Sequence, residues 1–119
     1  MEPFDDRSPI YQQIAEHVRS SILSGDLDEG AQVMSTTAYA TTYRINPATA
    51  AKAMGLLVDE GLVDKRRGLG MFVASGARER LRDRRRALFV DDVVRPVLQQ
   101  AHSLDLSTED LIRALREIS

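Results

Sequence analysis

The chain has no cysteine, no tryptophan and only two histidines among its 119 residues. Without cysteine it can form neither a disulfide framework nor a thiolate metal site. Aromatic residues make up 5% of the sequence, and no apolar run approaches the roughly 20 residues needed to span a bilayer. The N-terminal segment is acidic and lacks the basic-then-apolar pattern of a secretion signal. We therefore expect a cytoplasmic protein with no membrane partner.

The two histidines give little support for catalysis or metal binding. His17 and His102 are not spaced with a nucleophile or with carboxylates in a pattern typical of an active site. The alternative is a metal site that combines His102 with nearby aspartates, namely Asp91, Asp92 and Asp105. A solvated surface histidine explains the same residues better, so we expect no catalytic residue, no metal and no cofactor.

The charge of the chain is small overall but unevenly distributed. The net charge is −2, yet residues 64–86 contain nine basic and three acidic residues, whereas residues 1–63 contain four basic and nine acidic ones. Residues 87–119 are acidic again, with three basic and six acidic residues. A concentrated basic stretch is typical of a localised contact with a polyanion such as nucleic acid, although a solvated basic helix produces part of the same pattern.

The hydrophobic fraction of 43% is that of a globular protein, and the apolar residues recur with helical spacing. Ser8 and Pro9 predict the cap and first position of a helix that ends at Gly25. Residues 32–34 predict a short strand, and a short second helix follows that ends near Tyr43. Three consecutive hydroxyl residues are candidate N-caps for this second helix, namely Ser35, Thr36 and Thr37.

A third helix and a hairpin complete the pattern of the N-terminal region. Asn46-Pro47 opens the third helix, Gly61 closes it, and its distance from the second helix is typical of a helix-turn-helix. Short β-type runs at 62–65 and 71–73 flank a basic, glycine-containing loop at 66–70, which predicts a two-stranded wing hairpin. Three helices followed by a basic hairpin indicate a winged helix-turn-helix.

The remaining residues predict a helical tail. A helical pattern runs from residue 77 to about residue 101 with an interruption at Pro96, and Ser107 starts a last helix with a capping-box-like sequence. Two helices of this size cannot bury their apolar faces alone, so we expect them to dimerise. The predicted fold is mainly α (α+β), with a DNA-binding domain at 1–75 and a two-helix dimerisation tail at 76–119.

The tail begins with a run of arginines that admits two interpretations. They can extend a contact with phosphates, or they can be solvated or form intersubunit pairs with Asp91, Asp92 or the acidic C-terminus. The second interpretation is favoured because charge runs usually mark a solvated face. The arginines are Arg78, Arg80, Arg82, Arg84, Arg85 and Arg86.

The third helix and the wing carry the residues suited to DNA recognition. Asn46 can pair with adenine, Thr49 can contact phosphate or a thymine methyl group, and Lys52 can reach guanine or phosphate. Small residues such as Ala48 permit close approach, and the start of the helix offers free N–H groups and a positive dipole end to a phosphate. The loop at 66–70 combines phosphate-neutralising arginines with glycines that let the backbone approach a groove. Because it lacks a Walker lysine, it does not indicate a nucleotide-binding loop.

An ordered series of motifs across residues 8–74 resembles the GntR family of bacterial regulators, and the short tail resembles its YtrA-like subfamily. The resemblance implies a homodimer that binds a two-fold symmetric operator, usually as a repressor, without a large effector-binding domain. The motifs are Ser8–Ile14 (SPIYQQI), Ile22–Leu27 (ILSGDL) with Gly30, Asn46–Thr49 (NPAT) with Lys52 and Ala53, Glu60–Val63 (EGLV) and Arg66–Val73 (RRGLGMFV).

The sequence departs from the family pattern at the second helix. Where the family commonly has Leu-Pro-Ser-x-Arg, Thr37 replaces the arginine, and the second helix lacks its usual glutamate. A winged-helix module that binds protein instead of an operator therefore stays open as an alternative. For the leading interpretation, the residues expected to face double-stranded DNA are Ser35, Thr36, Thr37, Asn46, Pro47, Ala48, Thr49, Lys52, Arg66, Arg67, Gly68, Leu69 and Gly70.

Overall fold

The computed structural model describes residues 4–119 and consists of two compact units. The first unit extends to Arg82 and contains three complete helices, a small sheet and the start of a fourth helix that begins at Ala77. The second unit, Asp83–Ser119, is entirely helical apart from one short turn.

The first helix, α1, spans Ile10–Ser24 and ends at Gly25, which takes the left-handed conformation (φ 93°) predicted for it. The expectation that Ser8 caps this helix is wrong. Pro9 is the N-cap residue, and none of the described side chains caps the helix. The Gln13 side chain instead donates from Nε2 to the carbonyl oxygen of Ser8 at 2.8 Å, which ties the preceding segment to the first turn.

The helix-turn-helix consists of α2, Thr36–Tyr43, and α3, Pro47–Asp59. Ser35 caps α2 by accepting a hydrogen bond from a first-turn backbone N–H at 3.1 Å. Asn46 caps α3 in the same way at 2.8 Å. Arg44 lies in the turn between them with φ 52° and ψ 50°, a left-handed conformation that is uncommon for a residue with a side chain.

The sheet has three antiparallel strands: β1 at Gln32–Val33, β2 at Val63–Arg66 and β3 at Gly70–Val73. The strand order is β1-β3-β2, and Gln32 of β1 lies opposite Phe72 of β3. The predicted wing hairpin is confirmed as the β2–β3 pair, with β1 added to its open edge. The α+β winged helix-turn-helix predicted from the sequence is therefore the observed fold.

The core of the first unit lies between α1, α3 and the sheet. Burial of a large apolar side chain contributes about 1.5–3 kcal/mol relative to exposure, so this cluster supplies much of the driving force for folding. The predicted spacing of four in α1 reappears as a buried stripe. The largest fully buried side chains are Ile14, Ile22, Met54, Leu57, Leu62, Val18, Val63 and Val73.

A charged pair joins α1 to the end of α3. Arg19 donates from Nε to Glu60 Oε1 at 2.9 Å, and both side chains are only about one-fifth exposed. The hydrogen bond to Glu60 raises the pKa of Arg19 above its ordinary value. The pair thus holds the C-terminal end of α3 against α1.

The tail starts with α4, Ala77–Phe89, followed by a π-helical turn at Val90–Val94 and by α5, Arg95–Ser103. The interruption predicted at Pro96 is found as this π-helical turn. Pro96 has no N–H, and its ring would clash with the carbonyl four residues earlier in a regular α-helix. The Arg95 N–H bonds to the carbonyl oxygen of Val90, five residues back, so the widened turn lies directly before the proline.

The last helix, α6, spans Thr108–Ile118 and has the predicted capping box. The Asp110 N–H donates to Ser107 Oγ at 3.0 Å, and the Ser107 N–H donates to an Asp110 carboxylate oxygen at 3.0 Å. Hydrogen bonds from Ser107 lower the pKa of Asp110.

Within the second unit, Asp83–Ser119, only Ala101 is buried. Most large apolar side chains of this unit stay exposed on the single chain, whereas Leu98 and Leu111 are half-buried. The exposed ones are Leu88, Phe89, Val90, Val93, Val94, Val97, Leu104, Leu106, Ile112, Leu115 and Ile118.

We predict that the buried face of α3 dominates the stability of the first unit. Leu57 is fully buried and its neighbour Val58 is 37% exposed, so they form a matched pair. Leu57→Ala is expected to lower the free energy of unfolding by about 2–5 kcal/mol because it leaves a cavity. Val58→Ala is expected to change it by no more than about 0.5 kcal/mol. Urea unfolding followed by circular dichroism at one protein concentration measures both, and equal losses would contradict the prediction.

Candidate nucleic-acid interface

A cleft of about 530 Å³ lies between the start of α2, the outer side of α3 and the wing. It brings together five of the residues predicted to face DNA, namely Ser35, Thr36, Arg66, Gly68 and Gly70. The other lining residues come from α3 and the adjoining strands, namely Ala51, Gly55, Val58, Asp59, Lys65 and Met71.

The start of α3 lies outside the residues that line this cleft, and its first turn is exposed. Ala48 is exposed and Thr49 is half-buried. The expectation of free N–H groups at this helix end is wrong, because the N–H groups of Ala48, Thr49 and Ala50 all bond to Asn46, at 2.8, 2.9 and 3.2 Å. Pro47 has no N–H. The positive end of the helix dipole and the Asn46 amide donors remain available to DNA.

The start of α2 differs in how many of its first-turn backbone N–H groups are already hydrogen-bonded. Ser35 accepts one first-turn N–H through its side chain, and the Tyr39 N–H bonds to the Ser35 carbonyl oxygen at 2.9 Å. Within residues 4–119, the N–H groups of Thr36 and Thr37 have no hydrogen-bond partner. Thr36 lines the cleft, so this helix end offers donors to an anion beside the wing cations.

The wing tip is held by contacts within the sheet. Arg67, Gly68 and Leu69 form the turn, which closes with a hydrogen bond from the Leu69 N–H to the Arg66 carbonyl oxygen at 2.9 Å. Gln32 of β1 donates from Nε2 to the carbonyl oxygen of Leu69 at 3.2 Å. Gly70 has φ 118°, and a Cβ there would lie 2.7 Å from Gln32 Nε2. Close packing and backbone conformation therefore both favour glycine at this position.

Two of the predicted cations lie over aromatic rings. The Lys52 ammonium of α3 is 4.2 Å from the centroid of the Tyr11 ring of α1. The Arg66 guanidinium carbon is 4.4 Å from the centroid of the Phe72 ring of β3. Both distances are within the range of attractive cation–π interactions.

Sequence reasoning missed several residues of this surface. Lys65 was detectable from its place in the basic stretch, and Gly55 from its helical spacing of four from Ala51, one of the small residues expected to permit close approach. Gln32 and Tyr11 carried no such signal, because their roles depend on contacts between residues far apart in the chain.

Neither a metal cluster nor a membrane helix emerges from the described part of the chain. Residues 4–119 contain no group of three or more metal-ligating side chains. The Nε2 atom of His102 lies 3.3 Å from Thr108 Oγ1. At the other histidine, His17, burial lowers the pKa. No helix over the same residues is long and apolar enough to cross a membrane.

Comparisons with known proteins agree with this geometry. A sequence profile described as "Bacterial regulatory proteins, gntR family" matches residues 10–73, more than half of the chain. The chain is 29% identical to the HTH-type transcriptional repressor YtrA of Bacillus subtilis (strain 168), over all of this chain and 92% of that protein.

Two solved structures are informative in different ways. A transcriptional regulator from Oenococcus oeni matches 98% of this chain and 96% of its own, with a TM-score of 0.83 at 20% identity, which shows the fold. The DNA-binding domain of AraR in complex with operator ORX1 matches 62% of this chain and 90% of its own. Its TM-score is 0.55 at 28% identity.

We predict that Gly70→Ala perturbs the wing through Gln32. The substitution forces an alanine into a strained conformation, with an expected cost of about 1–3 kcal/mol in the free energy of unfolding. It also displaces the Gln32 amide, so a Gln32→Ala background is expected to reduce the loss by about 1 kcal/mol, the value of one hydrogen bond. Denaturant unfolding of the four proteins tests this, and strictly additive losses would rule out the contact.

Proposed function

Because this chain belongs to the gntR family of bacterial regulatory proteins, we propose that it is a transcriptional repressor that binds a two-fold symmetric operator as a homodimer. The full-length similarity to YtrA confirms the resemblance identified in the sequence. The chain is accordingly a DNA-binding transcription regulator, and the repressor action, the symmetry and the individual contacts constitute the proposal. We propose further that it acts in the cytoplasm and has no catalytic activity of its own.

The observation that carries the proposal is the cleft between α2, α3 and the wing. Its rim combines the N–H group of Thr36, which has no hydrogen-bond partner among residues 4–119, with the cations of Lys65 and Arg66. These groups are suited to phosphates of a DNA backbone, which fix register without reading sequence. The outer side of α3 borders the same cleft through Ala51 and Gly55, whose small side chains permit close approach to a groove.

The proposed docking follows from this arrangement. α3 enters the major groove, where Ala48, Thr49 and Lys52 meet base edges and Asn46 offers its amide donors. The wing turn at 67–69 reaches toward the neighbouring minor groove, and the start of α2 binds a phosphate. Since phosphate contacts supply much of the affinity, binding should weaken steeply as salt is raised.

The second unit supplies the proposed dimer contact. Its exposed valines and leucines would be costly to leave in water, and a second copy of the same helices would cover them. We propose that residues 1–75 read DNA and that residues 76–119 dimerise. Symmetry then predicts half-sites about 34–36 Å apart along the operator.

The test of the proposed function is in-vitro selection of random duplex DNA by the purified protein, together with its mass in solution. Enrichment of a two-fold symmetric site by a dimer supports the proposal and yields the operator. A folded dimer that enriches no sequence favours the protein-binding module instead.

We predict that the wing arginines contribute electrostatic affinity. Arg66→Ala combined with Arg67→Ala should weaken operator binding and lower the slope of log K against log salt by about 1–2, because each lost phosphate contact removes about 0.9. The control is Arg113→Ala with Arg116→Ala, which removes the same charge from α6. Titrations at several salt concentrations measure the slopes, and equal changes in both proteins would count against a local contact.

We predict that α6 is required for dimerisation. Leu115 is 53% exposed on the single chain, and Leu115→Glu would place a charge in the proposed apolar interface. The variant should be monomeric and should bind the two-half-site operator about 100-fold more weakly, because bivalent binding is lost. Sedimentation and DNA titration measure the two effects. Arg116→Glu on the polar side of α6 is the control, and a dimeric Leu115→Glu protein would exclude this interface.

A further inference from the structure

Lys52 is the only cation of α3, whose sequence is PATAAKAMGLLVD. The only other side chain of α3 that can donate a hydrogen bond to a base edge is the hydroxyl of Thr49. A lysine on an exposed helix face ordinarily samples many rotamers, since four rotatable bonds connect its ammonium to the backbone. A contact that restrains the Lys52 side chain therefore affects which acceptors on DNA α3 can recognise.

The restraint is the ring of Tyr11. The Lys52 ammonium lies 4.2 Å from the ring centroid, a distance at which the ring quadrupole attracts a cation. The ring itself is well fixed, because Tyr11 is half-buried and packs against the core of the first unit. Its hydroxyl accepts a hydrogen bond from Gln12 Nε2 at 3.3 Å.

We propose that Tyr11 is a positioning residue that holds Lys52 for operator recognition. The Tyr11 ring contacts one side of the Lys52 ammonium. The ammonium N–H donors on the other side can bind an acceptor on DNA, either a phosphate or a guanine edge. Because the restraint exists before DNA arrives, less conformational freedom is lost on binding. This inference rests on the proposed function, since it requires that α3 contacts an operator.

The wing provides an independent example of the same arrangement. Arg66 lies 4.4 Å from the centroid of Phe72, and neither Phe72 nor Tyr11 belongs to the residues predicted to touch DNA. In both places an aromatic side chain of a neighbouring element holds a cation of the candidate interface.

The test is a double-mutant cycle on the full chain with the selected operator. Tyr11→Leu should weaken binding by about two- to tenfold, the fold-change that corresponds to ordering one flexible side chain on binding. In a Lys52→Met background the same substitution should have no further effect. Tyr11→Phe keeps the ring and should bind within twofold of the natural protein. Tyr11→Met serves as a second non-aromatic variant if Tyr11→Leu unfolds.

The controls separate this inference from the proposed function. Phe72→Leu should be additive with Lys52→Met but coupled to Arg66→Met. In the DNA-free protein, ring currents should shift the Lys52 side-chain protons upfield in NMR spectra, and Tyr11→Leu should abolish the shift. Additive losses for Tyr11 and Lys52, or a Tyr11→Phe protein as weak as Tyr11→Leu, would overturn the inference while operator binding stands. A natural protein that binds no DNA would overturn both.

Discussion

The packing of α1 against α3 is the contact on which the structure of the first unit depends. Because one face of α3 is committed to the core, its opposite face is necessarily turned outward. At the end of the helix the ion pair between Arg19 and Glu60 adds a second attachment to α1. A pair of helices fixed at several points gives Lys52 a defined location relative to the wing. The buried residues of α3 are Ala50, Ala53, Met54 and Leu57.

The starts of α2 and α3 differ in how many backbone N–H groups are already hydrogen-bonded, and therefore in what they can offer to DNA. Asn46 and Pro47 leave the first turn of α3 without free N–H groups, so this end can offer an operator only its side chains and its dipole. The start of α2 keeps the N–H groups of Thr36 and Thr37 without a partner among residues 4–119. A helix start with unbonded backbone N–H groups is suited to bind a phosphate. A helix start whose N–H groups are already bonded is better suited to the base edges, where side chains distinguish one base from another.

Much of this could be predicted from the sequence, because it depends on local signals. Asn46 as a cap, the left-handed Gly25 and the interruption at Pro96 each follow from the conformational preferences of a few adjacent residues. The pairing of β1 with β3 and the ring of Tyr11 under Lys52 could not be predicted, since each joins residues about 40 positions apart. The cap at Pro9 was not predicted, because Ser8 is a residue type that commonly caps helices, yet α1 begins at Ile10, one position later than a cap at Ser8 requires.

The charge of the chain explains why positioned cations matter here. A net charge of −2 gives no general attraction to DNA, and Thr37 stands where the family commonly has an arginine. Under the proposed function, affinity comes from a few cations held where the operator presents acceptors. A cation resting on an aromatic ring is well suited to this, because the ring restricts the side chain without neutralising it as a carboxylate would. Such an arrangement strengthens binding to an operator with matching acceptors more than binding to other DNA. It therefore favours selectivity for the operator over affinity for DNA of any sequence.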